Sequence, residues 1–529
     1  MSKELQSLGR LVAAGKLSRR DFLGRAAALG VAAPFATAML SQTAQADEPV
    51  RGGVLRIAAE GGESTNTLDP ALTASLVPQL NDRAFGDTLF EVAPNGELQY
   101  RLATEMTADE TATIWTAKIR QGVKFHDGNP LTAADVVATM ERHSGEDSKS
   151  GALGIMKGLK TVTADGENVV FTLSEANADL PFLLSDYHLV IQPNGGKDNP
   201  AAGIGTGPYK LVSDEPGVRH VWERFEDDWD GANRGYADRV EILVINDGTA
   251  RLAALQSGQA HIISRVEPKV IDLVKRLPNV NIQNVAGRGH YVFIMHCDTA
   301  PFDNNDLRMA LKYAIDREEM VEKVLKGLGS VGNDMPINSA YPLFSDDIPQ
   351  RTFDPEKAAE HYKKSGHTGP VVLRVADGAF PGAVDAAQLF QASAKKCGID
   401  LQIKREPNDG YWSEVWNKQP FCASYWGGRP VQDQMYTTAY LSTADWNDTR
   451  FKREDFDALV KSARNELDEG KRKEIYKEAG MMVRDEGGLI CPMFNEFVDA
   501  TNNKVGGFEG DPGGQLMNAY AVSKCWVKA

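Results

Sequence analysis

In this 529-residue chain the residues best suited to chemistry are an aromatic, glycine-containing segment. Tyr411-Trp412 leads to Trp416, and Tyr425-Trp426-Gly427-Gly428-Arg429-Pro430 follows. Rings beside consecutive glycines and a charge suit a concave binding site. The rings bury ligand surface, the glycines let backbone amides approach, and the guanidinium fixes an anionic group. The same residues also fit a core tryptophan near a turn with Arg429 in a surface ion pair, and composition alone leaves both open. Bond-breaking sets are missing: there is no Gly-x-Ser-x-Gly elbow, no His-Glu-x-x-His pair and no Gly-x-x-x-x-Gly-Lys loop.

The remaining candidates weigh toward structure. Gly203-Ile204-Gly205-Thr206-Gly207-Pro208 looks like a phosphate loop, but Pro208 and Tyr209 open a strand-like run, so no helix dipole would face a phosphate and a turn is expected. The nine histidines are scattered, and the pairs His290 with His296 and His361 with His367 miss common metal-ligand spacing, so neither a metal nor a cofactor is expected. Acid pairs such as Asp227-Asp228, Asp346-Asp347 and Glu318-Glu319 read as solvated surface. The five cysteines, Cys297, Cys397, Cys422, Cys491 and Cys525, form no Cys-x-x-Cys pair. Cys422 and Cys491 lie in apolar, strand-like runs and are the favoured disulfide, with two free buried thiols the equal alternative.

The elements that must position these residues alternate between strands and helices, which is the α/β pattern. Gly53 to Ala58, Ile114 to Arg120, Val169 to Leu173, Val240 to Ile245, Leu401 to Ile403 and Leu489 to Phe494 read as strands. Helical spacing runs through Val77 to Leu89, Thr249 to Gln256, Phe302 to Leu328, Ala383 to Lys396 and Phe456 to Arg484. Thr132 with Asp135 is the signature of a helix start, and so is Asp316 with Glu319.

Charge and the N-terminus narrow the class further. The first 46 residues hold six basic and two acidic side chains, which leaves 52 basic against 71 acidic and a net charge of −19 in the remainder. Such an acidic chain lacks the clustered Lys and Arg that a nucleic-acid partner requires. Arg19-Arg20 precede an Ala-rich, weakly apolar stretch, Ala26 to Leu40, and Ala44-Gln45-Ala46 offers small residues for cleavage. Residues 1–46 therefore read as a twin-arginine signal, cut near Ala46, releasing a protein from near Asp47 into the periplasm through the Tat machinery.

Four stretches carry a resemblance to a known family: Thr67-Leu68-Asp69-Pro70; Trp115 with Ile119 to Gly128, Leu131, Thr132, Ala133, Asp135 and Val136; Gly205-Thr206-Gly207-Pro208-Tyr209; and Pro301-Phe302-Asp303 with Leu307, Arg308, Ala310, Leu311 and Ala314 to Arg317. The chain resembles the extracellular solute-binding proteins that serve dipeptide, oligopeptide, nickel and opine ABC importers, from about Gly52 to about Phe494. The resemblance implies a two-lobed periplasmic binding protein clamshell with an extra subdomain in the first lobe, and no enzyme. Lobe I would combine 47–90, 198–288 and 495–529, the subdomain 91–197, and lobe II 289–494, with a hinge near Arg288 and Phe494. It would be a monomer that docks on permease subunits in the inner membrane.

By position in that family, the ligand lies between Ala74, Ser75 and Leu76 and the strand end at Tyr425, Trp426, Gly427, Gly428 and Arg429; Trp412 is a further candidate from the aromatic segment. The family's peptide binders carry an aspartate three residues after the tryptophan, which pairs with the peptide α-amino group. Arg429 occupies that place, and reversing the charge turns attraction into repulsion. The resemblance with this departure implies a peptide-like or opine-like ligand carrying an anionic group. Unmodified peptides, a nickel chelate, haem, or an exported hydrolase are the alternatives.

Overall fold

A computed structural model describes residues 48–528 apart from 146, 157, 408–410 and 445. The signal segment lies outside the described residues. Val54–Ala59 pairs in parallel with Arg239–Val244 and Ile262–Ile263, and the antiparallel strands Arg219–Arg224 and Tyr209–Glu215 extend the sheet beyond Arg239–Val244. On the other side, Ile262–Ile263 pairs with Leu489–Asn502, which runs antiparallel to Val280–Met295. Phe421–Trp426, Val371–Val375 and Leu401–Arg405 then continue the sheet to its far edge.

The two long strands join the halves of the molecule. Their register breaks between Ala286 and His290, where Gly287 and Gly289 pass close to Phe497 and Asn495: added Cβ atoms there would lie 2.6 Å and 2.9 Å from those side chains. Val280–Met295 is half-buried to exposed in its first half and buried in its second. It leaves a partly solvated edge of one half and enters the core of the other.

Separate apolar cores account for the division. One holds Leu55, Ile57, Leu80, Phe85, Tyr209 and Trp222. A second lies under the four-stranded sheet of Ala103–Ala108, Ile114–Ile119, Asn168–Leu173 and Leu159–Asp165, and includes Trp115, Phe125, Val136 and Phe171. The largest gathers Phe293, Leu311, Phe390, Phe421, Val460 and Ile490. This is the two-lobed α/β clamshell, with the four-stranded unit as the extra subdomain.

Local signals place the helices well. In Ala133–Ser144 the Asp135 carboxylate accepts from the Thr132 N–H and hydroxyl, the reciprocal start the sequence implies. The Asp316 side chain accepts from Glu319 N–H at the start of Arg317–Lys323. The helix expected from Val77 to Leu89 spans Leu76–Phe85. It stops at Gly86, where a Cβ would meet Val190 at 2.1 Å, so the chain turns to pack on that residue. The late strand is longer than its apolar run, reaching Asn502 because its polar second half pairs with Val280 to Ala286.

The Cys422–Cys491 disulfide is corrected: all five cysteines are free. Cys422 pairs with Ile294 on one side of Val280–Met295, and Cys491 lies on the strand that flanks its other side. One intervening strand separates them by roughly two strand spacings, about 9–10 Å, beyond disulfide reach.

Candidate ligand-binding site

Lobe II delivers its part of the site at the end of Phe421–Trp426, a strand buried between two neighbours with His290 opposite Trp426 and Tyr291 opposite Tyr425. After Trp426 the chain turns through Gly427, Gly428 and Arg429. Gly428 lies on the crossing strand, where a Cβ would meet the Arg288 Cβ at 2.3 Å. The turn is tied down from outside: Arg429 N–H donates to the Tyr341 hydroxyl (3.1 Å), and the Arg429 guanidinium donates to the carbonyls of Gly427 (3.2 Å) and Gly428 (3.1 Å). Among the described residues Arg429 has no carboxylate within ion-pair distance, which removes the surface ion pair weighed from composition. Arg288 beneath it donates to the Ala340 carbonyl (2.9 Å), 5.6 Å from the Tyr341 ring centre.

The tryptophans have a structural partner that the sequence did not expose. Both the Trp416 and Trp426 indoles donate to Asp448 Oδ2, at 2.9 Å and 3.2 Å. Trp446 packs against both rings and is half exposed, as is Tyr425. Burial pushes the Asp448 carboxyl up to about 7 although the two indole bonds oppose the shift. Trp426 thus has its edge fixed in lobe II and is 4% exposed, part of the lobe's apolar core. The Trp412 side chain lies outside the described residues; its backbone is part of the single turn Tyr411–Val415.

Lobe I contributes the loop after Leu68-Asp69-Pro70. Asp69 caps the Pro70–Leu72 turn through Ala71 N–H and accepts from Arg142 at 2.6 Å with both oxygens. Thr73 donates its hydroxyl to Asp82 (2.7 Å), and its carbonyl lies 2.8 Å from His188 Nε2. Ser75 donates its hydroxyl to the Gly61 carbonyl, so that oxygen is engaged within the lobe. Ala74 is exposed, and Ser75 and Leu76 are half-buried at the start of the helix. Burial pushes Asp82 up to about 8 against its bond from Thr73. Burial pulls His188 down, but the Asp186 carboxylate 2.6 Å away more than offsets it and the net shift is upward.

Tyr187 packs beside the lobe I loop. Its ring lies 4.2 Å from that of His188, which holds the Thr73 loop. Burial and the Asp186 charge raise the Tyr187 hydroxyl, while Arg429 from lobe II and Arg83 from lobe I pull it the other way. Tyr187, Tyr341 and Asp448 escaped sequence reasoning because each is an isolated residue whose role depends on partners far along the chain; Arg288 was expected only as a hinge position. Among the described residues no group of His, Cys, Asp or Glu could hold a metal.

The sequence pattern of the bacterial extracellular solute-binding proteins, family 5 Middle, matches residues 97–448. The chain belongs to this family. As a family 5 solute-binding protein it takes part in ABC import and is not an enzyme. It is 26% identical over 416 residues to a probable peptide ABC transporter periplasmic-binding protein of Sinorhizobium fredii, covering 73% of this chain and 76% of that one. The fold is shared with a substrate-binding protein of Listeria monocytogenes, CtaP, with a TM-score of 0.79, 22% identity and coverage of 90% and 100%. It is shared also with AgaA of A. tumefaciens solved with agropinic acid, with a TM-score of 0.75, 23% identity and coverage of 90% and 99%. No helix among the described residues is long and apolar enough to cross a membrane.

Proposed function

We propose that this family 5 protein is the periplasmic receptor of an ABC importer for peptides or related solutes, and that its cargo is a peptide-like or opine-like molecule carrying an anionic group. It leaves the cytoplasm through the twin-arginine pathway, is cut near Ala46, works as a monomer, and closes around cargo before docking on the inner-membrane permease. The hinge lies near Arg288 and Phe494, with lobe boundaries as the sequence implies, and binding energy goes into the closed population.

Arg429 carries the charge assignment. It stands three residues after Trp426, at the mouth of a turn whose carbonyls already hold it, with its positive charge uncompensated by a nearby described carboxylate. A cargo carboxylate or phosphate supplies that counter-charge, whereas a free α-amino group is repelled. The agropinic acid bound to AgaA supports an acid as cargo within this fold.

The test is calorimetric titration of plain dipeptides against N-acylated and opine-type acids. Anionic compounds should bind and plain dipeptides should not. Arg429→Ala should weaken an anionic cargo by about 1.5–3 kcal/mol, the size of a charged hydrogen bond. Tight capture of plain dipeptides with none of the acids would overturn the reading.

A further inference from the structure

The loop that carries Ala74, Ser75 and Leu76 is tied to lobe I through Thr73, and both polar groups of Thr73 end on titratable side chains. Its hydroxyl donates to Asp82 on the Leu76–Phe85 helix (2.7 Å), and its carbonyl faces His188 Nε2 at 2.8 Å. His188 is 7% exposed, and its other ring nitrogen, Nδ1, faces Asp186 Oδ1 at 2.6 Å. Neither oxygen has a proton to give. One is a backbone carbonyl; burial raises the Asp186 carboxyl, but the His188 bond more than offsets it, so that carboxyl ionises more readily than usual. A neutral imidazole carries a single N–H, so only the doubly protonated ring donates to both oxygens.

Loss of one proton therefore falls on Thr73. A bond to a carboxylate is about twice as strong as one to a neutral acceptor, so the remaining proton stays on Nδ1, toward Asp186. Nε2 then presents a lone pair to the Thr73 carbonyl, and attraction becomes repulsion. Gly151 closes over the ring, since a Cβ there would lie 2.3 Å from Nε2, and its N–H is already given to the Ala71 carbonyl (2.9 Å).

The other charged groups packed around the ring hold their state near neutral pH. Burial pushes Asp82 up to about 8, so it stays protonated below that value. On the Ala133–Ser144 helix, burial holds His143 down to about 4 and neutral, with its Nδ1 2.5 Å from the Ser150 hydroxyl, and Arg142 is spent on Asp69 at 2.6 Å. Arg83 lies over the Tyr520 ring, 4.4 Å from its centre, and the Tyr187 hydroxyl beside His188 is raised by burial.

We propose that His188 is a positioning residue for cargo: its doubly protonated ring sets the Thr73–Leu76 loop, and loss of one proton releases the loop and weakens capture. The inference rests on Ala74–Leu76 forming a wall of the cargo site, and it adds a pH dependence to that site. The ring's net shift is upward from 6.5, so the set loop prevails below the raised value and is lost as pH rises through it.

Hydrogen exchange of residues 71–76, corrected for the intrinsic effect of pH, reads the loop without cargo between about pH 5.5 and 9. Wild type should open about 3- to 10-fold more across the rise, the loss of one hydrogen bond. His188→Gln, whose amide donates to Thr73 with no proton to lose, should stay flat at the low-pH level. Asp186→Asn, which removes the carboxylate favouring the imidazolium, should move the step to lower pH, and Asp82→Asn should keep it. A step that survives in His188→Gln, or that vanishes in Asp82→Asn, overturns the inference. Calorimetry with N-acetyl-alanyl-alanine, whose carboxylate stays ionised throughout, should show affinity falling by the same factor in wild type and staying level in His188→Gln; a merely structural role would lower affinity at every pH and keep the slope. If the exchange step is present but wild-type affinity is flat, the loop does not serve cargo and the inference falls while the anionic-cargo reading stands. If this probe binds at no pH and alanyl-alanine does bind, the anionic-cargo reading falls, and the exchange comparison decides the role of His188.

Discussion

Substituting Asp179 with Ala tests how the extra subdomain grips lobe II. Asp179 is 2% exposed; Arg472 Nη2 lies 2.5 Å from its Oδ1, and the Tyr476 hydroxyl donates to its Oδ2 at 3.3 Å. The neighbouring Ala178 N–H donates to the Arg464 carbonyl (2.9 Å), and Arg464 in turn bonds Asp433 Oδ1 (2.6 Å) on Gln432–Ala439, the helix that follows the Arg429 turn. Removing one partner of a buried ion pair leaves an uncompensated charge and costs about 3–5 kcal/mol. That cost falls on the arrangement in which subdomain and lobe II touch, since separation returns Arg472 to water. At about 1.4 kcal/mol per factor of ten, the closed population falls by roughly a hundredfold to a few thousandfold relative to the open one. Cargo affinity falls by the same factor where the unliganded protein is open. Calorimetry gives the affinity, and small-angle scattering with saturating cargo gives the shape. Asp179→Ala with Arg472→Met should recover most of the loss, because the stranded charge is gone as well. Unchanged affinity and scattering in Asp179→Ala, or a double variant no better than the single one, would refute the reasoning.

Three further outcomes follow from the geometry. The folded Asp448 carboxyl holds its proton up to about pH 7, whereas an unfolded aspartate releases it near pH 4, so this group's contribution to stability is lost as pH rises between those values. Asp448→Asn should flatten that loss and stabilise the protein at pH 8 by up to about 4 kcal/mol, measured by urea unfolding with tryptophan fluorescence; an unchanged pH slope would contradict it. Gly428→Ala forces a Cβ to within 2.3 Å of Arg288 and should lift the turn, at a cost of about 1–3 kcal/mol and with loss of cargo binding. At Gly427 an added Cβ meets nothing nearer than Arg429 Nη1 at 3.8 Å, so Gly427→Ala should bind as wild type does, and equal effects at the two positions in a melt and titration would sink the comparison. Thiol titration should find five reactive thiols after denaturation without reductant, and fewer would restore a disulfide.

Much of the scaffold was legible because its signals are local. The capping at Thr132 and Asp135, the helix Ala383–Lys396 and the apolar run from Leu489 depend on neighbours within a few residues, where side-chain type sets backbone preference. Val280–Met295 was less legible: its first half is polar, and it becomes a strand because Leu489–Asn502 supplies hydrogen-bond partners about two hundred residues away. The same limit hid the site's supports. Nothing near Trp426 in sequence announces Asp448, 22 residues on, and nothing near Ala74 announces His188 and Tyr187.

The sequence by itself carried the family's motifs, the alternation of elements and an arginine, Arg429, three residues after Trp426, because motif spacing and residue identity are properties of the linear chain. The tertiary structure decided what surrounds that charge. Arg429 rests on two carbonyls with no described carboxylate beside it, Gly428 lies on Arg288, and the cysteines stay apart on strands flanking Val280–Met295. Those outcomes turn on distances between residues remote in the chain, which only the packed sheet fixes.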